Sequence, residues 1–133
     1  MREVFADTSF YVALVNIRDA LHRSAIDFAR TFRGRVVTTE FVLVELGNNL
    51  SRSRHRAKFV KLVEDLRSHP AMRIVPISTE LFDAGLAIYA QRSDKHWSMT
   101  DCISFVIMKE MRVTEALTAD RHFEQAGFAV LLG

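Results

Sequence analysis

Short apolar runs alternate with longer amphipathic segments along almost the whole chain, and this alternation limits the fold more than any other feature. Val4-Phe5-Ala6, "RVVT" (35–38), "RIVPI" (73–77), "EALTA" (115–119) and "AVLL" (129–132) read as strands, the first spanning about 3–7. Helical patterns stand between them, at about 9–16, from Asp19 to Gly34, from Thr39 through "TEFVLVELGNNL", at 55–68 up to Pro70, in "STELFDAGLAIYAQ", in "SMTDCISFVIMKEM", and as a short turn in "RHFEQAG". In the second segment Leu21, Ala25, Phe28, Ala29 and Phe32 form an apolar stripe, with Asp19 as its cap. Short apolar strands alternating with helices call for an α/β fold, a parallel sheet covered on both faces. The length of 133 residues suits one domain over 1–133.

In such a sheet, ligands bind beyond the carboxyl ends of the strands, where strand order reverses. Four acids occupy conspicuous positions for that rim. Asp7 ends a buried strand, Glu45 interrupts the apolar run 41–46, Asp101 opens the most apolar helix, and Asp120 follows the fourth strand. Each acid also has a plainer explanation, which for Glu45 is a pairing with an arginine such as Arg52, two turns on. Asp101 stands three residues after Ser98, the spacing of a capping box. Asp120 and Asp7 suit the caps of the segments that follow them. Capping does not account for Glu45, nor for three caps on one rim. Clustered carboxylates repel unless a cation neutralises them, and hard oxygen ligands suit Mg²⁺ or Mn²⁺.

"FADTSF", "TEFVLVELGNNL", "DKHWSMTDCISFVIM" and "LTADRHFEQAGF" together resemble the PIN domain, in particular the small ribonucleases of the VapC toxin type, over about residues 3–131. The resemblance implies a three-layer α/β/α fold with a parallel sheet of about five strands in the order 3-2-1-4-5. It implies metal-dependent cleavage of RNA, with a cognate antitoxin as partner. Asp7 and Asp101 are then the first metal ligands, and Glu45 and Asp120 hold a second ion or act through water. Ser9, Asn48, Arg52 and Arg54 are expected at the substrate. Ser9 and Thr8 have hydroxyls that reach the carboxylates, or cap a helix. His122 is read mainly as a packing or capping residue, Asp94 as structural, and Cys102 as a buried small hydrophobe.

"SRSRHRAKFVK" (51–61) is the one basic cluster in a chain of net charge +2. Arg52 and Arg54 favour the preceding helix C-terminus, but Arg56 and Lys58 would lie in the first turn of the next helix, where cations are disfavoured. Phosphates of RNA would meet such a cluster. Competing phosphoryl chemistries lack their parts. An aspartyl-phosphate phosphatase needs a second aspartate where Ser9 stands. A receiver domain needs a lysine after its last strand, and a dinucleotide or P-loop site needs a glycine-rich loop. Two alternatives stay open: an RNA-processing nuclease that is not a toxin, and a metal-holding RNA-binding module without turnover.

No run approaches the roughly 20 apolar residues of a membrane span, and no leader is expected. A single cysteine excludes an intramolecular disulfide and fits the cytoplasm. "FYVALVN" and "FVLVEL" are apolar beyond one stripe and are expected near the interface of a two-fold homodimer that sets two acidic clefts along a shared basic groove. An antitoxin segment is expected over the cleft, aiming a cation at Asp7, Glu45 and Asp101.

Overall fold

The computed structural model describes residues 1–133, the side chain of Ser53 excepted. The elements run β1 (Glu3–Ala6), α1 (Thr8–Val15), α2 (His22–Thr31), β2 (Arg35–Thr39), α3 (Glu40–Asn49), α4 (Ser53–Ser68), β3 (Met72–Val75), α5 (Thr79–Gln91), α6 (Met99–Glu110), β4 (Glu115–Leu117), α7 (Arg121–Gln125) and β5 (Ala129–Val130). The five strands form one parallel sheet in the order β3-β2-β1-β4-β5, as the resemblance implied. Val4 pairs with Val36 on one side, and Phe5 with Ala116 on the other. Successive strand residues face opposite sides of a sheet. Val4, Phe5 and Ala6 are all fully buried, so helices cover both faces of β1. Strand order reverses between β1 and β4, and the two elements that follow them begin on that rim.

Below this rim lies an aromatic cluster. Phe105 of α6 meets Trp97, Phe123 and Phe128, with the Trp97 and Phe123 rings edge-on at 5.0 Å. Helix α5 approaches α6 closely because Gly85 has no side chain; a Cβ there would stand 2.4 Å from Ile103 Cγ1.

Several boundaries differ from the sequence reading. β3 stops at Val75, before Pro76, which lacks the N–H a ladder needs. β4 stops at Leu117, and Thr118 turns its hydroxyl to the site instead. Asp19 does not cap α2: Leu21 holds the cap position, and Asp19 Oδ1 accepts from the Leu21 N–H at 2.9 Å, closing the turn before the helix. Helix α4 begins at Ser53, so Arg54 as well as Arg56 lies in its first turn. In α1, Phe10, Tyr11 and Ala13 are buried in the core, so most of the apolar surface of "FYVALVN" serves the chain's own packing.

Candidate active site

The backbone of β1 delivers Asp7 to the rim, where its N–H donates to Leu117 O of β4 at 3.2 Å. Asp7 holds the cap position of α1, yet its side chain makes no capping bond. Its Oδ2 accepts instead from the Thr118 hydroxyl at 3.0 Å, and Ser9 Oγ lies 3.4 Å away. Ser9 and Thr118 hydroxyls are themselves 3.0 Å apart. The residue is 5% exposed. Burial pushes its pKa up to about 7, and the charges of Asp101 and Glu45 push the same way against the Thr8 N–H and the Thr118 hydroxyl.

Asp101 completes the capping box that its spacing predicts. The Ser98 N–H donates to Asp101 Oδ2 at 3.1 Å, and the Asp101 N–H donates to Ser98 Oγ at 3.0 Å. That cap fixes the carboxylate without using it up, because Oδ2 also meets His122 Nδ1 at 2.8 Å. Burial raises the Asp101 pKa and Asp120 adds to the rise, while His122 and the Ser98 N–H oppose it. Asp120 caps α7 through Oδ1, which accepts from the His122 N–H at 2.9 Å, and its own N–H donates to Thr118 Oγ1 at 3.0 Å. His122 Nδ1 stands 3.4 Å from Asp120 Oδ1. One ligand atom each from Asp101, Asp120 and His122 lies within 4.8 Å of the others.

Glu45 reaches the same cleft from α3, half-buried. The cleft has a volume of about 530 Å³, and Asp7, Asp19, Glu45, Asp101 and Asp120 all line it. Among the described residues no lysine or arginine does so. A cation would offset this charge: five carboxyl groups converge, and burial raises the pKa of the two most buried, Asp7 and Asp101. Oxygen-rich donors of this kind fit a hard divalent ion, with His122 as a nitrogen donor at the margin.

The four predicted acids and Ser9 thus share one cleft. Asn48 does not; it faces an apolar groove between α3 and α4, and Asn49 takes the place at the cleft. Arg52 and Arg54 are exposed and line neither hollow. Asp94 is bound in two places by Arg92, at 3.0 and 3.1 Å, which accounts for it structurally. Cys102 is buried, as its sequence setting predicts. Sequence reasoning places Asp19 only at a helix cap and reads His122, which could reach the cleft, mainly as a packing or capping residue; both line the cleft. The Asp-x-His spacing after the fourth strand is the available signal for His122; nothing local marks Asp19 as other than a turn residue.

Comparison with known proteins agrees with this architecture. The PIN domain family model matches residues 4–129. The 23S rRNA-specific endonuclease VapC20 of Mycobacterium tuberculosis is 29% identical over 126 residues, covering 94% of this chain and 95% of that protein. The crystal structure of M. tuberculosis VapC20, described as a sarcin-ricin loop cleaving toxin, superposes with a TM-score of 0.88 at 25% identity, over 98% of this chain and 99% of the other. FitAcB of Neisseria gonorrhoeae shares the fold, with a TM-score of 0.68 at 18% identity over 96% of each chain.

Proposed function

This chain belongs to the PIN domain family, and on that basis we propose that it is a Mg²⁺- or Mn²⁺-dependent endoribonuclease, the toxin of a toxin–antitoxin pair. The observation that carries the reading is the charge of the cleft, where five carboxyl groups converge at the switch point of the sheet and, among the described residues, no lysine or arginine joins them. When bound, the divalent ion supplies polarisation of the phosphoryl oxygen and a nucleophilic water at neutral pH. Asp7, on the rigid end of β1, and Asp101, held by its capping box, are the residues that would hold it. Glu45 and Asp120 would hold a second ion or its waters. The Thr118 hydroxyl, bonded to Asp7, Ser9 and the Asp120 N–H together, keeps the carboxylates of two strands in register. His122 orients Asp101, its Nδ1 meeting the same Oδ2 that the Ser98 N–H binds and standing 3.4 Å from Asp120 Oδ1.

The substrate is a structured RNA, and the ribosomal loop named for the M. tuberculosis relative is the first to try. An antitoxin is the natural partner, since similar structures include toxin–antitoxin complexes; its segment over the acidic cleft would present a cation in place of the metal. A homodimer is supported by exposed apolar side chains on α3, within the expected "FVLVEL", and on α5: Val44 is 53% exposed, Phe82 44% and Leu86 45%. The described residues hold no helix long and apolar enough to cross a membrane, and we place the chain in the cytoplasm with its RNA. The test is cleavage of a sarcin-ricin hairpin and of total RNA by the purified chain. Activity with Mg²⁺ or Mn²⁺, abolished by chelation and by Asp7→Asn, is the expected result. Full activity in chelator, or in the variant, would remove the metal assignment.

A further inference from the structure

Among the described residues no lysine or arginine lines the acidic cleft, so a polyanionic substrate must be gripped somewhere else. A second hollow of about 470 Å³ lies beside the cleft, and Ser98 lines both. Its other walls are Tyr89 at the end of α5, Arg92, Lys95 and His96 in the loop that follows, and Trp97. We propose that this hollow is the subsite for the nucleotide adjoining the scissile phosphate, with Lys95 meeting a phosphate and Tyr89 stacking on the base. The inference rests on the nuclease reading and deepens it.

Three observations carry it. The first is position. Ser98 bonds Asp101 through both its N–H and its hydroxyl, so one residue separates the hollow from a carboxylate of the cleft. A strand whose phosphate lies over Asp101 has its next residue at the mouth of the hollow.

The second is charge. Arg92 is neutralised by the two-point bond to Asp94, whereas Lys95, half-buried, forms no salt bridge among the described residues. Asp94 acts on Lys95 only through space and is itself tied to Arg92, so the half-buried Lys95 is placed for an anion from outside. The hollow thus supplies, one residue away, the cation that the cleft lacks.

The third is build. Trp97 is locked by its indole N–H, which donates to Gln125 Oε1 at 3.0 Å, and by the edge-on ring of Phe105. The Arg92 guanidinium lies over the Trp97 ring, 5.0 Å from its centroid. The back wall is therefore fixed before any ligand arrives. Tyr89, 47% exposed, leaves an aromatic surface at the edge. Fixed flat groups with a free cation suit a nucleotide: bases stack on aromatic side chains irrespective of sequence, and lysine takes the phosphate. An acidic peptide would use the cation but has no need of an aromatic surface, so RNA is the better occupant.

The experiment measures binding of a fluorescent sarcin-ricin hairpin and of a mixed-sequence single-stranded RNA, in the Asp7→Asn background so that the probe persists. Lys95→Ala should weaken binding about ten-fold and reduce the log–log salt slope by ~0.7, the amount expected when one single-strand phosphate is no longer neutralised. Tyr89→Ala should weaken binding about ten-fold with an unchanged slope, and Tyr89→Phe should bind like the parent. Lys109→Ala, at the exposed far end of α6, is the comparison and should bind like the parent. All variants are checked for unchanged melting. If the chain with Asp7 intact cleaves RNA but Lys95→Ala and Tyr89→Ala bind like Lys109→Ala, the hollow is refuted and the nuclease reading stands. If that chain neither binds nor cleaves RNA, both fall. If the variants lose binding of an acidic peptide while keeping RNA, the hollow is a protein site and the proposal is overturned.

Discussion

Asp7 gives the sharpest test of the site, because its burial makes a stability prediction independent of any substrate. The carboxyl rises from an ordinary value of 3.8 to about 7 on folding. A carboxyl whose pKa rises on folding binds more protons in the native state than in the unfolded state between those two values. Stability therefore falls as pH rises from about 4 to about 7 and levels off above. Three units correspond to about 4 kcal/mol at most. Coupling to Asp101 and water entering the cleft reduce this, and about 2 kcal/mol is the working figure above pH 7. Asp7→Asn removes the charge and keeps an oxygen for the Thr118 hydroxyl. The variant should melt roughly 6–10 °C above the parent at pH 8 in chelator, taking about 3–5 °C per kcal/mol for a chain of this size. At pH 4, where both forms are neutral at this position, the two curves should converge. Adding Mg²⁺ at pH 8 should raise the parent and leave the variant nearly unmoved. Differential scanning calorimetry from pH 4 to 8.5, with and without chelator, measures all of this. An identical gap at pH 4 and pH 8, or a parent more stable than the variant at pH 8, would refute the claim that an uncompensated charge is held at this position.

Other consequences follow from named interactions. His122→Ala should weaken Mn²⁺ binding by roughly 10- to 100-fold, by titration calorimetry, with little change in melting, because His122 positions Asp101 without filling the core; unchanged affinity would return it to packing. Gly85→Ala should cost about 1–3 kcal/mol in urea unfolding despite alanine's better helix propensity, since the new Cβ meets Ile103; a stabilised variant would contradict the close α5–α6 approach. Arg52→Ala with Arg54→Ala should reduce the salt slope of RNA binding by ~0.7 for each phosphate that the pair neutralises, with metal affinity intact; an unchanged slope would mark the cluster as a solvated helix junction.

Much of this molecule is legible in its sequence because burial and periodicity leave direct marks. The apolar runs locate every strand, and the acids at strand ends and helix starts locate Asp7, Asp101 and Asp120. Glu45 stands out by interrupting an apolar run. What escapes depends on phase and on long-range packing. Asn48 and Asn49 are adjacent in sequence but about 100° apart on a helix. Burial of Val42, Leu43, Leu46 and Leu50 sets the rotation of α3, which puts Asn49 one turn above Glu45, where its Nδ2 donates to Glu45 O at 3.1 Å. Asp19 reaches the cleft only because the turn before α2 folds back against α1, an approach with no local sequence signature. Apolar content alone does not separate core from interface in the helices: α1 spends its apolar residues on the core, and exposed ones stand on α3, α4 and α5.

The acids also show why a capping explanation and a functional one should not be weighed as rivals. A cap needs a carboxylate fixed at a helix N-terminus, and a metal ligand needs a carboxylate fixed at a rim. In a parallel sheet these are one place, because a helix that leads from a strand, as α1 and α7 do, or back into one, as α6 leads into β4, begins at the carboxyl edge. Asp101 shows the consequence, since one oxygen, Oδ2, accepts from the Ser98 N–H and also meets His122 Nδ1 at 2.8 Å. Asp120 binds the His122 N–H through Oδ1 while that same residue's ring comes within 3.4 Å. The local bonds restrict each side chain before an ion is present, so little rotamer freedom remains to be lost on binding. Asp7, which makes no such cap, is held instead by the hydroxyls of Thr118 and Ser9. Ser98→Ala separates these roles. It removes the hydroxyl half of the box, costing about 1 kcal/mol of helix stability, and leaves every carboxylate in place. If the cap positions the site, metal affinity should fall by more than that stability loss explains, and a loss of stability alone would assign Ser98 to the helix only.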